Sequence, residues 1–312
     1  MGLRKEKAMR EVSIQGKVIR DMIAHVTNDH LIGKKIKTGE LRKKLVEPKW
    51  RCPDCFCMTE IKMKRFRMEY LCRRENPRTD YVILQLHGGG YIGAMRNAYR
   101  SFAGLYCEVS KGMDVLTIDY RVAPEEPYPA ALEDALEAYE WLKAAGWRSR
   151  QIIVAGDSAG GGLALALCMY LKDHNRRLPG GLVLMSPWAD QTAGGPSYLD
   201  NFERDPLFGN TTDSLIYNRD YAGLHDMKDP YISPVFGEYW GFPPMLIQAG
   251  SIEMLLSDSI GVAYKAKKQG AKVRLSIYEG MFHVFQMGMM MMPESKRAWR
   301  EIGRYFEVLT GK

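Results

Sequence analysis

Short apolar runs recur along the chain. Tyr81–His87, Met113–Asp119, Gln151–Gly156, Leu182–Ser186, Met245–Gly250 and Val273–Tyr278 are rich in Val, Ile and Leu and end in polar or glycine-containing turns. Runs this short and this continuously apolar read as strands buried on both faces. Residues 58–73 alternate loosely without Gly or Pro and predict an extended pair of strands. Between most of the runs the period changes to that of a helix. Residues 129–145, opened by Pro129, and 159–173 are the clearest helices, and 257–269 and 293–310 are further ones. Strands that alternate with helices predict an α/β fold with a mostly parallel sheet of about eight strands, covered on both faces.

Two stretches depart from that rhythm. Residues 1–50 read as one or two amphipathic helices, with Val12, Ile19, Met22, Ile23 and Val26 at helical spacing. Residues 190–228 lie between two core strands and are polar, aromatic and rich in Gly and Asn. A long insertion at such a place is expected to be a lid or a binding element, and it could pack on the N-terminal helices.

Composition narrows the classes further. With 46% hydrophobic and 26% charged residues, the chain of 312 residues is neither disordered nor a disulfide-stapled miniprotein. It contains no apolar run of about 18 residues and no secretory pattern at its start, which makes the cytoplasm the expected compartment and stable membrane association unexpected. The net charge of +7 is local: residues 1–50 hold 13 Lys and Arg against 6 Asp and Glu, and the remainder is balanced. A solvated helical face accounts for it, and with no zinc-finger, RNP or basic-zipper pattern nucleic acid is not an expected partner. Cys52, Cys55 and Cys57 form a CxxCxC, but only Cys72 lies near it in sequence. A structural zinc site needs a second ligand pair, so no metal is expected.

The chemistry concentrates at three places. Gly156-Asp157-Ser158-Ala159-Gly160 follows a strand and opens a helix, the setting of a G-x-S-x-G nucleophile elbow. The turn is so tight that side chains at Gly156 and Gly160 would collide with neighbouring backbone, and it puts Ser158 at a helix N-terminus. His87-Gly88-Gly89-Gly90 ends an earlier strand. Attack of a hydroxyl on an ester creates an oxyanion, and the N–H groups of Gly88, Gly89 and Ala159 are candidates to receive it. A serine hydroxyl needs a base. Of the six histidines, His283 follows the last predicted strand, where a loop can reach Ser158. The base needs a carboxylate from the end of the preceding strand. Glu253 sits in the loop after Met245–Gly250, whereas Asp258 would lie a turn or more into the next helix. Glu253 is therefore the choice and Asp258 the alternative.

With those residues in hand, the chain resembles the hormone-sensitive-lipase family of α/β-hydrolases, the bacterial family IV carboxylesterases. The likeness spans about residues 80–310. It rests on HGGGY (His87–Tyr91), DYRVAPEEPYPAALEDA (Asp119–Ala135), GDSAGG (Gly156–Gly161), SPWAD (Ser186–Asp190), DPYISP (Asp229–Pro234), PPMLIQAGSIEMLLSDS (Pro243–Ser259) and GMFHVF (Gly280–Phe285). The resemblance implies the α/β-hydrolase fold and places the acid at Glu253, where many members carry Asp. It also implies a cap built from residues 1–50 and the insertion at about 190–228, around a catalytic domain of residues 51–312. The DYRVAPE segment is expected to be structural, with Asp119, Tyr120 and Arg121 bracing the sheet edge beside the glycine loop.

The expected reaction is acyl transfer to water without metal or organic cofactor, through a Ser158–His283–Glu253 triad and an acyl-enzyme. The resemblance implies small ester substrates of short to medium acyl length. Tyr91, Asp157, Trp188 and Phe208 are candidates to shape the substrate pocket. A deacetylase of glycans or other acetylated small molecules is the alternative on the same scaffold. A non-catalytic binding protein is the remote one, disfavoured because Ser158 and His283 are both present. A homo-oligomer is compatible with the chain, and neither the CxxCxC nor the run Met287–Met292 acquires a role, although methionine there suits adaptable packing.

Overall fold

The computed structural model describes residues 12–28 and 47–311. Eight strands form one sheet: β1 (Phe56–Lys62), β2 (Arg67–Arg73), β3 (Arg78–Leu86), β4 (Met113–Asp119), β5 (Ile152–Asp157), β6 (Gly181–Met185), β7 (Met245–Gly250) and β8 (Val273–Tyr278). Their order across the sheet is β1-β2-β4-β3-β5-β6-β7-β8. The pairs β1/β2 and β2/β4 are antiparallel and all others parallel, as expected for a mostly parallel sheet.

The apolar runs of the central strands are explained by burial on two sides, whereas β8, at the sheet edge, is only partly buried. Successive side chains on a strand point to opposite faces. Val82, Leu84 and Leu86 of β3, Ile152 and Val154 of β5, and Leu182 and Leu184 of β6 enter one core. Ile83, Ile153, Ala155, Val183 and Met185 enter the other. The first core is covered by α3 (Ala130–Ala144), α4 (Ala159–Asp173) and α6 (Leu256–Lys268). The second is covered by α2 (Asn97–Val109) and α7 (Pro293–Thr310), which meet through Phe102, Tyr106 and Trp299.

Helix α2 is an element the sequence reading did not place. Its buried positions Tyr99, Phe102, Ala103, Tyr106 and Cys107 do follow helical spacing, but Gly104 and three aromatic residues blur the pattern. Gly104 faces the Phe56 ring of β1, where an added Cβ would make ordinary contact at 3.4 Å.

At the N-terminus, α1 (Ile14–Asn28) is helical as expected. Val12, Ile19 and Ile23 pack on Ile252, Met281, Phe282 and Phe285. Its start is pinned to α7, because the Ser13 N–H and hydroxyl both donate to the Glu294 carboxylate, at 2.9 and 2.8 Å. The rest of the expected segment 1–50, apart from 12–13 and 47–50, lies outside the described residues. The insertion at 190–228 is mostly irregular, with one short helix, α5 (Ser197–Asp200), and a single 3-10 turn at Leu215–Tyr217.

The sheet gathers its loops at one edge. Leu86 pairs with Gly156, Asp157 with Met185, and Gly250 with Tyr278, so β3, β5, β6, β7 and β8 end side by side. The chain reverses direction across the sheet at β3, which lies between β4 and β5. Such a switch point, outside the carboxyl ends of the strands, is where open α/β sheets bind ligands.

Candidate active site

The elbow after β5 carries the strain that its sequence predicts. Ser158 has φ +51° and ψ −122°, a conformation that L-residues seldom adopt. It is held by the Ser158 N–H donating to Met185 O at 2.9 Å and by the Ser158 carbonyl accepting from Gly161, Gly162 and Trp188 N–H. A Cβ at Gly156 would stand 2.3 Å from Gly160 O, and one at Gly160 would stand 2.0 Å from Leu86 O. Neither position could carry a side chain without moving backbone. The second clash also shows how closely the end of β3 approaches the first turn of α4.

His283 lies in the loop after β8, and its Nδ1 is 2.9 Å from Oε2 of Glu253. Both residues are buried, Glu253 completely. The other carboxylate oxygen of Glu253 accepts from Gly250 N–H at 3.2 Å. The imidazole Nε2 is buried and has no hydrogen-bond partner among the described residues. The neighbouring Val284 N–H donates to Ser186 Oγ at 3.1 Å, which ties this loop to the end of β6. Asp258 is engaged elsewhere: one of its oxygens accepts from Ala189 and Asp190 N–H, both at 2.8 Å, and from the Tyr198 hydroxyl. Burial raises its carboxyl well above the usual range.

The other described histidines meet different partners. His87 is stacked on Tyr120 and directs Nδ1 at Gly88 O, and burial lowers its basicity. His174 stacks on Tyr170, His225 meets the edge of Tyr128, and His25 lies exposed on α1. His30 lies outside the described residues.

The glycine loop departs from expectation at one position. The Gly88 N–H donates to Oδ1 of Asp157 at 3.1 Å and is thus already committed. Among the described residues the N–H groups of Gly89, Gly90 and Ala159 meet no acceptor. Gly89 and Gly90 take φ of +113° and +63°, which a side chain would resist. Behind the loop the Tyr120 hydroxyl donates to His87 O at 2.7 Å, and Asp119 accepts from Met95 N–H. Arg121 forks onto Asp134. The bracing role expected of Asp119–Arg121 is what these bonds perform.

Of the pocket candidates, Phe208 lies over His283 with ring centroids 4.8 Å apart. Tyr91 is stacked on Tyr221 of the insertion at 3.6 Å, and Trp188 is buried beside Tyr91. Leu215 crowds Gly90 closely enough that a Cβ there would stand 2.6 Å from it. The insertion therefore lies directly on the glycine loop and the histidine. Asp157 differs from the other three, because its carboxylate is buried under the glycine loop with Oδ1 on Gly88. Burial pushes its carboxyl up to about 7, against the opposing pull of His283 and the Gly88 N–H.

Two residues of the insertion escaped the sequence reading. Asp205 accepts from Met254 N–H at 2.7 Å and from Leu207 and Phe208 N–H. Asn201 Nδ2 donates to Glu253 O at 2.9 Å. Together they tie the insertion to the turn that carries Glu253. Both contacts run to backbone some fifty residues away, and no local pattern announces such a bond. No group of three or more His, Cys, Asp or Glu among the described residues is placed to hold a metal ion.

Comparison with known proteins agrees with this geometry. Residues 83–287 match the family described as the alpha/beta hydrolase fold. An acetyl-hydrolase of Streptomyces hygroscopicus is 36% identical over 239 residues, covering 77% of this chain and 78% of its own. An esterase of Acinetobacter venetianus is 35% identical over 226 residues, covering 72% and 74%. Among solved structures, an esterase from the bacterial hormone-sensitive lipase family has a TM-score of 0.80 at 29% identity, covering 96% of this chain and 99% of that one. A mutant of the esterase E40 has a TM-score of 0.84 at 30% identity, covering 95% and 99%. This chain therefore belongs to the α/β-hydrolase fold family and, within it, to the hormone-sensitive-lipase branch of carboxylesterases.

Proposed function

We propose that the protein hydrolyses short- to medium-chain carboxylic esters through an acyl-enzyme on Ser158. His283 removes the proton from the serine hydroxyl as it attacks the ester carbonyl. Glu253 holds the tautomer that leaves Nε2 free as a base and stabilises the imidazolium that forms. The N–H groups of Gly89 and Ala159 receive the oxyanion, and Gly90 takes the place first assigned to Gly88. The alcohol leaves with a proton from His283, and water then cleaves the acyl-enzyme by the same relay.

The observation that carries this reading is the 2.9 Å contact of Glu253 with His283 Nδ1 beside a partnerless Nε2, on the sheet edge that bears the strained serine. The Glu253 contact makes Nδ1 the protonated nitrogen and leaves Nε2, not hydrogen-bonded to Ser158 Oγ in this structure, as the one that can take a proton. The test is Ser158→Ala on p-nitrophenyl butyrate. Turnover is expected to fall by at least about a thousandfold with an unchanged thermal melt. Near-normal turnover would refute the assignment.

The acetyl-hydrolase relative favours a second reading, removal of acetyl groups from larger acetylated molecules. The two readings share the relay and differ in the alcohol side of the ester. Comparing kcat/KM for acetylated oligosaccharides with that for p-nitrophenyl acetate separates them.

A further inference from the structure

We infer that Asp157 is a positioning residue for the oxyanion hole, its carboxylate oxygen fixing Gly88 so that the next two peptide groups keep their N–H groups free for the substrate. The inference rests on the esterase reading above and gives a task to a side chain that the relay does not use.

Asp157 occupies the end of β5, one residue before the nucleophile, and is buried with 3% exposure. Its Oδ1 accepts the Gly88 N–H at 3.1 Å, the bond that removes Gly88 from the free donors. Oδ2 has no hydrogen-bond partner among the described residues. The contact with Gly88 is the hydrogen bond that the buried carboxylate makes to the loop, and the Tyr99 hydroxyl of α2 interacts with the same carboxylate. It is also sterically specific. A Cβ at Gly88 would stand 2.3 Å from Oδ2 and 3.0 Å from the Tyr99 hydroxyl, so the loop can sit on the carboxylate only because position 88 is glycine.

Peptide planes in succession are linked through their dihedral angles. Anchoring the 87–88 peptide by its N–H limits how the 88–89 and 89–90 planes can turn. Gly89 and Gly90 have no Cβ to limit φ, and both sit at positive φ. The 88–89 plane meets His87 Nδ1 at Gly88 O and the 89–90 plane accepts from Ile92 and Gly93 N–H at Gly89 O, so the Asp157 contact adds the anchor on the preceding plane and completes the set. An oxyanion donor works only when it is already aimed, since reorientation during the reaction costs the stabilisation it would provide. Leu215 presses on Gly90 from the insertion and Tyr120 holds His87 O, but neither bonds to the N–H of Gly88. Asp157 thus acts through Gly88, and its carboxylate is not hydrogen-bonded to Ser158.

The test compares Asp157→Asn, which keeps an acceptor oxygen of the same shape, with Asp157→Leu and Asp157→Ala, which do not. Folding of each is checked by circular dichroism. Kinetics use p-nitrophenyl butyrate, and the oxyanion hole is probed with an alkyl trifluoromethyl ketone, which forms a tetrahedral adduct on the serine. Both non-acceptor variants are expected to lose roughly tenfold to a hundredfold in kcat with KM within about threefold, and to bind the ketone more weakly by a similar factor. The Asn variant is expected to recover most of both. Equal kinetics for Asn and the folded non-acceptor variants, or a loss confined to KM, would overturn the inference. So would a ketone affinity unchanged by loss of the acceptor. If the wild-type protein neither turns over the ester nor takes up a fluorophosphonate on Ser158, the proposed function fails and this inference with it. If wild type does both and the variants do not separate, the role of Asp157 alone is wrong.

Discussion

At the scale of single residues, the site is a set of buried polar groups whose partners decide their roles. Glu253 and Asp258 are both fully buried acids from one short segment, yet one faces an imidazole and the other faces backbone N–H groups. Glu253→Gln is therefore expected to lower kcat by at least about a hundredfold, because the amide no longer stabilises the imidazolium. Asp258→Asn is expected to affect mainly stability, and the reverse ranking in steady-state assays would move the acid to Asp258. Asp157 gives a pH signature of its own. An ordinary aspartate titrates near 3.9 in the unfolded chain, whereas burial holds Asp157 up to about 7 in the folded one. Between those values the folded state binds the extra proton, so this residue's contribution is full below pH 4 and is lost as pH rises to about 7. The thermal midpoint of Asp157→Asn is thus expected to fall less than that of wild type between pH 4 and 7. Parallel curves would contradict the raised carboxyl.

Residues of this kind differ in how legible they are. Ser158 and His283 could be picked from the sequence because strand, turn and spacing are local signals. Glu253 was reachable by the same logic, one loop away. The commitment of the Gly88 N–H was not reachable, because which N–H stays free depends on peptide orientation and on the Asp157 contact.

At the scale of elements, the central strands were legible for a physical reason. Strands buried on both faces need continuous apolar runs, and the boundaries of β4 and β7 match the sequence reading residue for residue. Helix α2 was not read, because its apolar face is built from Tyr and Phe interrupted by Gly104. The insertion is legible as an interruption but not as a structure, since its few anchors are single polar side chains. Asp205 is the chief of them. Replacing it with Ala would leave the N–H groups of Met254, Leu207 and Phe208 without their acceptor. An unpaired buried donor costs about 1–3 kcal/mol, so a loss of about 3 kcal/mol or more is expected in urea denaturation, with faster proteolysis of the insertion. A midpoint within experimental scatter of wild type would show that the insertion is held by other means.

At the scale of the molecule, three stretches far apart in sequence meet at one sheet edge, and the insertion closes over them. Phe208 on His283, Leu215 on Gly90 and Tyr221 on Tyr91 crowd the space around the histidine and the glycine loop. A preference for acetyl and butyryl over dodecanoyl p-nitrophenyl esters of at least about tenfold in kcat/KM is expected from that crowding. All of this turns on the covalent step at Ser158. Rapid mixing of the protein with p-nitrophenyl acetate, quenched within the first turnover and followed by peptide mass analysis, tests it most directly. One acetyl group is expected on the peptide containing Ser158, formed together with the first equivalent of p-nitrophenol and absent in Ser158→Ala. Nitrophenol release with Ser158 unmodified throughout, or unchanged in rate by the Ala substitution, would contradict it.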